Sequence, residues 1–320
     1  MRNLFLVILF FGLFFGLQIV YFENLLNKNE KIDFEDISKS IVSIESVTNS
    51  PQKKFGSGVI ISNDGYIVTA FHILSGTISS VKINEKIYIA NLIGFDEYAD
   101  LAVLKIDEEN LRPIDFPDNF DYKVGQEVFA IGNPYNLGIS VSKGIISGTG
   151  RNFGNPYLDI IQTDAAINQG SSGGAIIDSN GKLMGLSTSI ASISGGSDGV
   201  GFALPAERVI SISNEIIKFG RVNRAWIGDF KFQKSIYNKD DERIPALYVF
   251  GVDNSDIIGG LKDGDIIISI KGSEARWNIL KASVNSISPG EILQLTVDRS
   301  GEILELKIQT KERPNIPQAL

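Results

Sequence analysis

Gly65-Tyr66-Ile67-Val68-Thr69-Ala70-Phe71-His72 reads as a β-branched strand that runs into the single histidine of the chain. Its partner is Gly58-Val59-Ile60-Ile61-Ser62, and Asn63-Asp64-Gly65 between them supplies the positive φ of a tight hairpin turn. Downstream stand Ala99-Asp100-Leu101-Ala102-Val103-Leu104 and then Gly170-Ser171-Ser172-Gly173-Gly174. A serine hydroxyl is a poor nucleophile until an imidazole takes its proton, and a carboxylate must hold that imidazole in the right tautomer. His72, Asp100 and Ser172 supply these groups in the order His, Asp, Ser. Such triads recur on unrelated folds in different chain orders, so the order carries fold information. Gly170 and the Gly173-Gly174 pair let the backbone turn tightly, with amide N–H groups facing outward as an oxyanion hole. Taken alone, Gly-Ser-Ser-Gly-Gly reads equally well as a flexible loop. Beside a sole histidine that closes one strand and an aspartate that opens another, it reads as the nucleophile loop.

Outward from this core the pattern of short strands continues. Residues 41–44, 81–83, 86–89 and 101–106 form one series, and 127–131, 139–146, 160–163, 175–177 and 182–188 a second. Asn180-Gly181 turns the last pair into a hairpin. Many short strands with regular turn signals predict a mostly-β barrel or sandwich. Residues 205–219 read as a helix, with Val209, Ile210, Ile212, Ile216 and Ile217 roughly on one stripe. After Gly220, strands at 247–252, 265–270 and 293–297, a helix at 277–286 and a closing turn at 298–302 read as a separate domain of about 90 residues.

Composition narrows the partners. A net charge of −8 with no basic stripe excludes nucleic acid. Without cysteine there is no disulfide framework and no thiolate ligand, and one histidine cannot build an ordinary zinc site, so no metal or cofactor is expected. At the N-terminus, residues 4–22 form an uncharged run broken in polarity only by Gln18. As a helix it reaches about 28 Å, close to the thickness of a bilayer core. A cleaved signal peptide would have a shorter apolar region and a small-residue cleavage site, and Gln18-Ile19-Val20-Tyr21-Phe22-Glu23 offers none. The run therefore reads as an uncleaved single-pass anchor in membrane lipid. Residues 23–31 read as a polar linker, and residues 33–41 as a short helix leading into the first strand.

Several blocks then carry a family resemblance. Gly56-Ser57-Gly58-Val59-Ile60-Ile61, the stretch ending at His72, Asp100-Leu101-Ala102-Val103-Leu104-Lys105 and Ala130-Ile131-Gly132-Asn133-Pro134 resemble the HtrA serine proteases. So do residues 162–174 and Gly201-Phe202-Ala203-Leu204-Pro205, all in family order across residues 56–205. The resemblance implies a chymotrypsin-like double β-barrel over residues 41–220. It makes His72 the base, Asp100 its orienter and Ser172 the nucleophile, with the backbone N–H groups of Gly170 and Ser172 as the oxyanion hole. Ser171 stands where the family usually carries Asn. Substrate backbone would pair along Leu186, Ser187 and Thr188, beside a lining suited to small or medium aliphatic side chains.

Residues 221–313 resemble one PDZ domain. Arg224-Ala225-Trp226-Ile227-Gly228 looks like its carboxylate-binding loop, which assigns Trp226, Ile227 and Gly228 to peptide binding, and Gly260-Leu261-Lys262-Asp263-Gly264-Asp265-Ile266-Ile267 looks like a second family segment. PDZ domains take a peptide C-terminus by strand addition. Asp229 follows the loop glycine where the family has an apolar residue, so an extra carboxylate is expected to oppose an anionic terminus. A single PDZ domain and an anchor-like N-terminus resemble the DegS branch. That resemblance implies a homotrimer on the inner membrane, its catalytic domain in the periplasm, acting on polypeptides and sensing peptide termini. Residues 151–161 correspond to the branch's sensor loop and are shorter here. The main rival reading is a PDZ adaptor or chaperone with an inactive protease domain, though all three triad residues are present; a second is a secreted periplasmic protease that degrades unfolded proteins broadly, which two PDZ domains and a cleavable signal would favour.

Overall fold

The computed structural model describes residues 18, 32–47, 53–74, 78–151, 159–190, 196–239, 242–253 and 259–313. The expected membrane anchor lies outside the described residues but for Gln18, as do residues 152–158 of the expected sensor loop. Among the described residues, no helix is long and apolar enough to cross a membrane. The expected short helix is present as α1 (Phe34–Ser38), where the Asp33 carboxylate accepts from the Asp36 amide at 3.0 Å and caps the first turn.

Six strands follow: β1 (Ile41–Val47), β2 (Lys53–Ile60), β3 (Tyr66–Ala70), β4 (Ile78–Ile83), β5 (Lys86–Asp96) and β6 (Leu101–Lys105). They close into a barrel in the order β1-β2-β3-β6-β5-β4, with β1 pairing β4 to complete the ring. Val42, Ile44 and Ile67 are buried inside it, and the absent side chain of Gly58 leaves room for all three. A second closed barrel contains β7 (Glu127–Gly132), β8 (Ser140–Arg151), β9 (Ile160–Thr163), β10 (Ala175–Ile177), β11 (Leu183–Ile190) and β12 (Gly201–Pro205). Its order, β10-β11-β12-β9-β8-β7, is the first barrel's order traced in the opposite direction, so both barrels share one topology. Val128, Ile146, Ile161, Ile176 and Met184 form its core. The two rings make the mostly-β, chymotrypsin-like double barrel that the order of His72, Asp100 and Ser172 implies.

Helix α2 (Ala206–Phe219) buries Ala206, Val209, Ile212 and Ile216, a stripe at helical spacing. It ends at Gly220, whose left-handed backbone and amide bond to the Ile216 carbonyl (2.7 Å) close the last turn. Beyond it lie β13 (Ala225–Trp226), β14 (Asp229–Lys239), β15 (Glu242–Asp253), β16 (Ile266–Ile270), β17 (Ser273–Glu274), α3 (Trp277–Asn285), β18 (Ile292–Arg299), β19 (Glu302–Gln309) and β20 (Lys311–Glu312). A sheet in the order β14-β15-β16-β18-β19, with β17 on β16, shares a core of Leu247, Val249, Ile267, Leu280, Leu295 and Val297. The sequence reading did not anticipate β14 or β19.

By proximity the chain divides into two compact units. One comprises residues 1–91, 105–149 and 161–207; the other comprises 92–104, 150–160 and 208–320.

Candidate active site

The nucleophile loop is built by fixing its carbonyls. Gln169 O accepts from the Tyr135 amide (2.8 Å), and Gly170 O from the Ser57 hydroxyl (2.8 Å). Ser171 O accepts from the Gly174 amide (2.9 Å), and Ser172 O from the Ser57 amide (2.8 Å). In a trans peptide the N–H points opposite to the C=O of the same plane. Holding Gln169 O and Ser171 O therefore turns the Gly170 and Ser172 N–H groups the other way. Neither amide donates to a partner among the described residues. Two N–H groups left unspent two residues apart, one of them the serine's own, are the kind of donor pair that stabilises a tetrahedral oxyanion.

Glycine is required here for room as well as for conformation. Gly170 has φ +95°, and a Cβ added there would lie 2.5 Å from Asn133 O and 2.9 Å from Tyr135 N. Gly173, at φ +81°, faces the backbone of Ser57 and Ala70 so closely that a side chain would displace one of them. Ser171 is buried, whereas Ser172 is partly exposed, so the two adjacent hydroxyls differ in access.

His72 is exposed in a single 3₁₀ turn, Phe71–Ile73, directly after β3. Asp100 precedes β6 directly, and β3 and β6 are neighbours in the first barrel. Asp100 has φ +52°, a left-handed backbone that Asp tolerates better than most residues. The turn that carries it is fastened by Asp96, whose carboxylate accepts from the Tyr98 amide (3.1 Å) and pairs with the buried Arg224 guanidinium. Ser187 donates its amide to Gly174 O (2.8 Å) and accepts from the Gly173 amide (2.6 Å), so its backbone is spent on the nucleophile loop. Leu186 is registered between Ala175 of β10 and Leu204 of β12. The edge expected to meet substrate therefore begins no earlier than Thr188.

In the second unit a groove of about 500 Å³ opens between β14 and α3. Trp226, Ile227 and Gly228 line it, as do Phe232 and Trp277, whose rings stack with centroids 4.4 Å apart. Asp229 is not an isolated charge. Arg313 pairs with it at 3.2 Å and the Trp226 indole N–H donates to it at 3.3 Å.

The chain is similar to known serine proteases. Residues 56–186 match the trypsin-like peptidase domain. A probable periplasmic serine endoprotease, DegP-like, from Bartonella henselae is 40% identical over 270 residues, covering 81% of this chain and 54% of the relative. The solved structure of the HtrA-type protease AlgW with a tripeptide superposes with a TM-score of 0.79 at 34% identity, covering 90% of this chain and 99% of that one. AlgW with a decapeptide gives 0.77 at 33% identity, covering 89% and 100%. The chain belongs to the HtrA family of serine proteases. It spans about half the length of the curated relatives it matches.

In this HtrA protease, sequence reading missed the residues that shape the loop without reacting. Ser57, Asn133 and Tyr135 occur in the quoted blocks or directly beside them, but no spacing or composition marks them as partners of residues 169–172. They lie more than 30 positions away: the pairing of β7 with β10 brings Asn133 and Tyr135 to the loop, and Ser57 reaches it from the first barrel.

Proposed function

We propose that the chain is a serine endopeptidase of the HtrA type. Ser172 attacks the scissile carbonyl, and His72 takes the hydroxyl proton and then delivers it to the leaving amine. Asp100 holds the imidazole in the tautomer that can do both. The N–H groups of Gly170 and Ser172 stabilise the oxyanion, and water then releases the acyl group by the same steps. The observation carrying this reading is the set of fixed carbonyls, which leaves those two N–H groups unspent beside a partly exposed serine. It also disfavours the inactive adaptor, which has no need of an ordered oxyanion hole.

The substrates are polypeptides, pairing with the edge that starts at Thr188. We read residues 221–313 as a PDZ domain that regulates the protease. Strand β14 is an edge of its sheet, so a peptide C-terminus can add to it and enter the groove, with the amides around Trp226, Ile227 and Gly228 holding the carboxylate. Arg313 offsets the Asp229 charge that the sequence set against this binding. AlgW, a structural relative, was solved with a tripeptide and with a decapeptide, which supports peptide recognition here. The DegP-like relatives are described as periplasmic, which supports a periplasmic catalytic domain. Residues 4–22 would anchor it to the inner membrane, and a homotrimer is the assembly proposed. Ser172→Ala tests the chemistry. It is expected to lower peptide cleavage by about 10⁴- to 10⁶-fold and abolish fluorophosphonate labelling, while Ser171→Ala stays within a few-fold of wild type. Cleavage surviving in Ser172→Ala would refute the assignment.

A further inference from the structure

We propose that Ser57 is a positioning residue for the oxyanion hole, an inference that rests on the reading of Ser172 as nucleophile. Four consecutive peptide planes run from Gln169 to Gly173, and Ser57 binds the carbonyls of two of them, whose N–H ends are bound by Asn168 O (2.9 Å) and Ser187 O (2.6 Å). The Ser57 hydroxyl binds Gly170 O and its amide binds Ser172 O, both at 2.8 Å. Those two planes flank the one that carries the Ser172 N–H. Ser57 comes from the first barrel and the loop from the second, so this residue sets the loop against the strand that leads through its hairpin to His72.

The direction of the hydroxyl proton is determined by its surroundings. Ser57 is fully buried, and its Oγ accepts from the Asn133 amide at 2.8 Å, which leaves Gly170 O as the acceptor for its single proton. Asn133 is itself fixed. Its side-chain amide donates to Ser43 Oγ (2.6 Å) and Asn136 Oδ1 (3.1 Å), and its Oδ1 accepts from the Gly138 amide (2.7 Å). The Ser57 carbonyl accepts from Thr69 Oγ1 at 2.6 Å, three residues before His72. Ser57 is thus held by its neighbours and in turn holds the loop.

Without the hydroxyl, the Gly170 carbonyl loses its donor in a buried place. A buried polar group without a partner seeks another, and glycine offers little resistance to rotation. The plane is then held only at its other end, by the Ser171 N–H bond to Asn168 O (2.9 Å), and tilting it about that bond turns Ser171 and re-aims the Ser172 N–H. The loss falls on the oxyanion, whereas substrate binding along β11 is untouched.

Ser57→Ala should therefore lower kcat by about 10- to 100-fold, in line with losing part of an oxyanion hole, with KM within twofold of wild type. Affinity for a peptide boronic acid, which forms a tetrahedral adduct, should fall by the same factor. Binding of the uncleaved substrate peptide, measured in the Ser172→Ala background, should be unchanged. Ser57→Cys keeps a weak donor in place and should fall between Ser57→Ala and wild type. Ser43→Ala, which removes another partner of Asn133 without reaching the loop, should lower the melting temperature but not kcat. Rates are referred to active sites counted by fluorophosphonate titration, so a poorly folding variant is not mistaken for a slow one. Wild-type kcat per active site in Ser57→Ala, or equal losses of substrate-peptide and boronate affinity, would overturn the positioning role. Cleavage by Ser172→Ala would instead sink the underlying reading.

Discussion

Gly170→Ala tests whether the nucleophile loop is held as tightly as its geometry implies. Two effects would act together. At φ +95° an L-residue is strained, at a cost of roughly 1–2 kcal/mol. The new methyl would also lie 2.5 Å from Asn133 O and 2.9 Å from Tyr135 N, both backbone atoms. Ordinary contact needs about 3.5 Å, so something must retreat by about 1 Å, and overpacking of this kind costs roughly 1–3 kcal/mol. Gly125 separates the two effects. Its φ is +88°, but an added Cβ there would meet nothing within 4 Å. Gly125→Ala should therefore show strain alone, a loss of about 1–2 kcal/mol, and unchanged turnover. Gly170→Ala should lose roughly 2–5 kcal/mol, or melt about 5–15 °C lower for a unit of this size. Its turnover should also fall by about 10²-fold, because a displacement near 1 Å spoils reactive geometry. The assay pairs thermal unfolding with peptide cleavage per titrated active site. If Gly170→Ala matches Gly125→Ala in both measurements, the loop is not packed against residues 133–135 and the account of its carbonyls fails.

Other perturbations follow from the same geometry. Asp100→Asn, which tolerates the same left-handed backbone, should lower kcat by about 10⁴-fold with an unchanged melting curve, and near-wild-type turnover would remove Asp100 from the triad. Arg224→Met leaves the Asp96 carboxylate buried without its guanidinium and should destabilise by about 3–5 kcal/mol, most of it regained on adding Asp96→Asn. A single variant within about 1 kcal/mol of wild type would show that the ion pair does not hold the Asp100 turn. The Arg112 guanidinium holds the Asp36 carboxyl below its usual range, and Lys86, followed by Tyr88, does the same for Glu108. Stability from such carboxylates is fully present above their unfolded-state values near pH 4 and is lost as pH falls through the lowered folded values. The melting-temperature gap between wild type and Arg112→Gln should therefore be widest at pH 6 and narrow below about pH 4 to the part owed to the Arg112 bonds with Ser40 and the Pro113 carbonyl, and a gap that stays constant to pH 2 would contradict this.

What the sequence made legible was set by the range of the interactions involved. Turns, strand runs and helix stripes are local, and Gly65, Asn180-Gly181 and the stripe from Val209 to Ile216 marked elements that the fold contains. Strand β14 was hidden because its alternation is short: Phe230 and Phe232 face inward between Lys231 and Gln233, but Lys234 stands in their phase and is exposed, and the inward side passes to Ser235 and Tyr237. The shared topology of the two barrels was also invisible, since strand order depends on pairing partners and leaves no repeat in the residues themselves. At the site the same division holds. Reactive groups are chemically scarce, so one histidine among 320 residues is informative by its rarity alone. Residues that aim the reactive groups are ordinary serines and asparagines, and their importance lies in the identity of their partners. Ser57 finds Gly170 across 113 positions, a separation at which no periodicity in either segment can report on the other. The Asp229 carboxylate shows the converse. Its charge was legible and its expected effect was repulsion, but Arg313, 84 positions later, had to be placed beside it before the electrostatics could be judged. A sequence therefore exposes the groups that do chemistry more readily than those that hold them, because the first are defined by what they are and the second by what they touch.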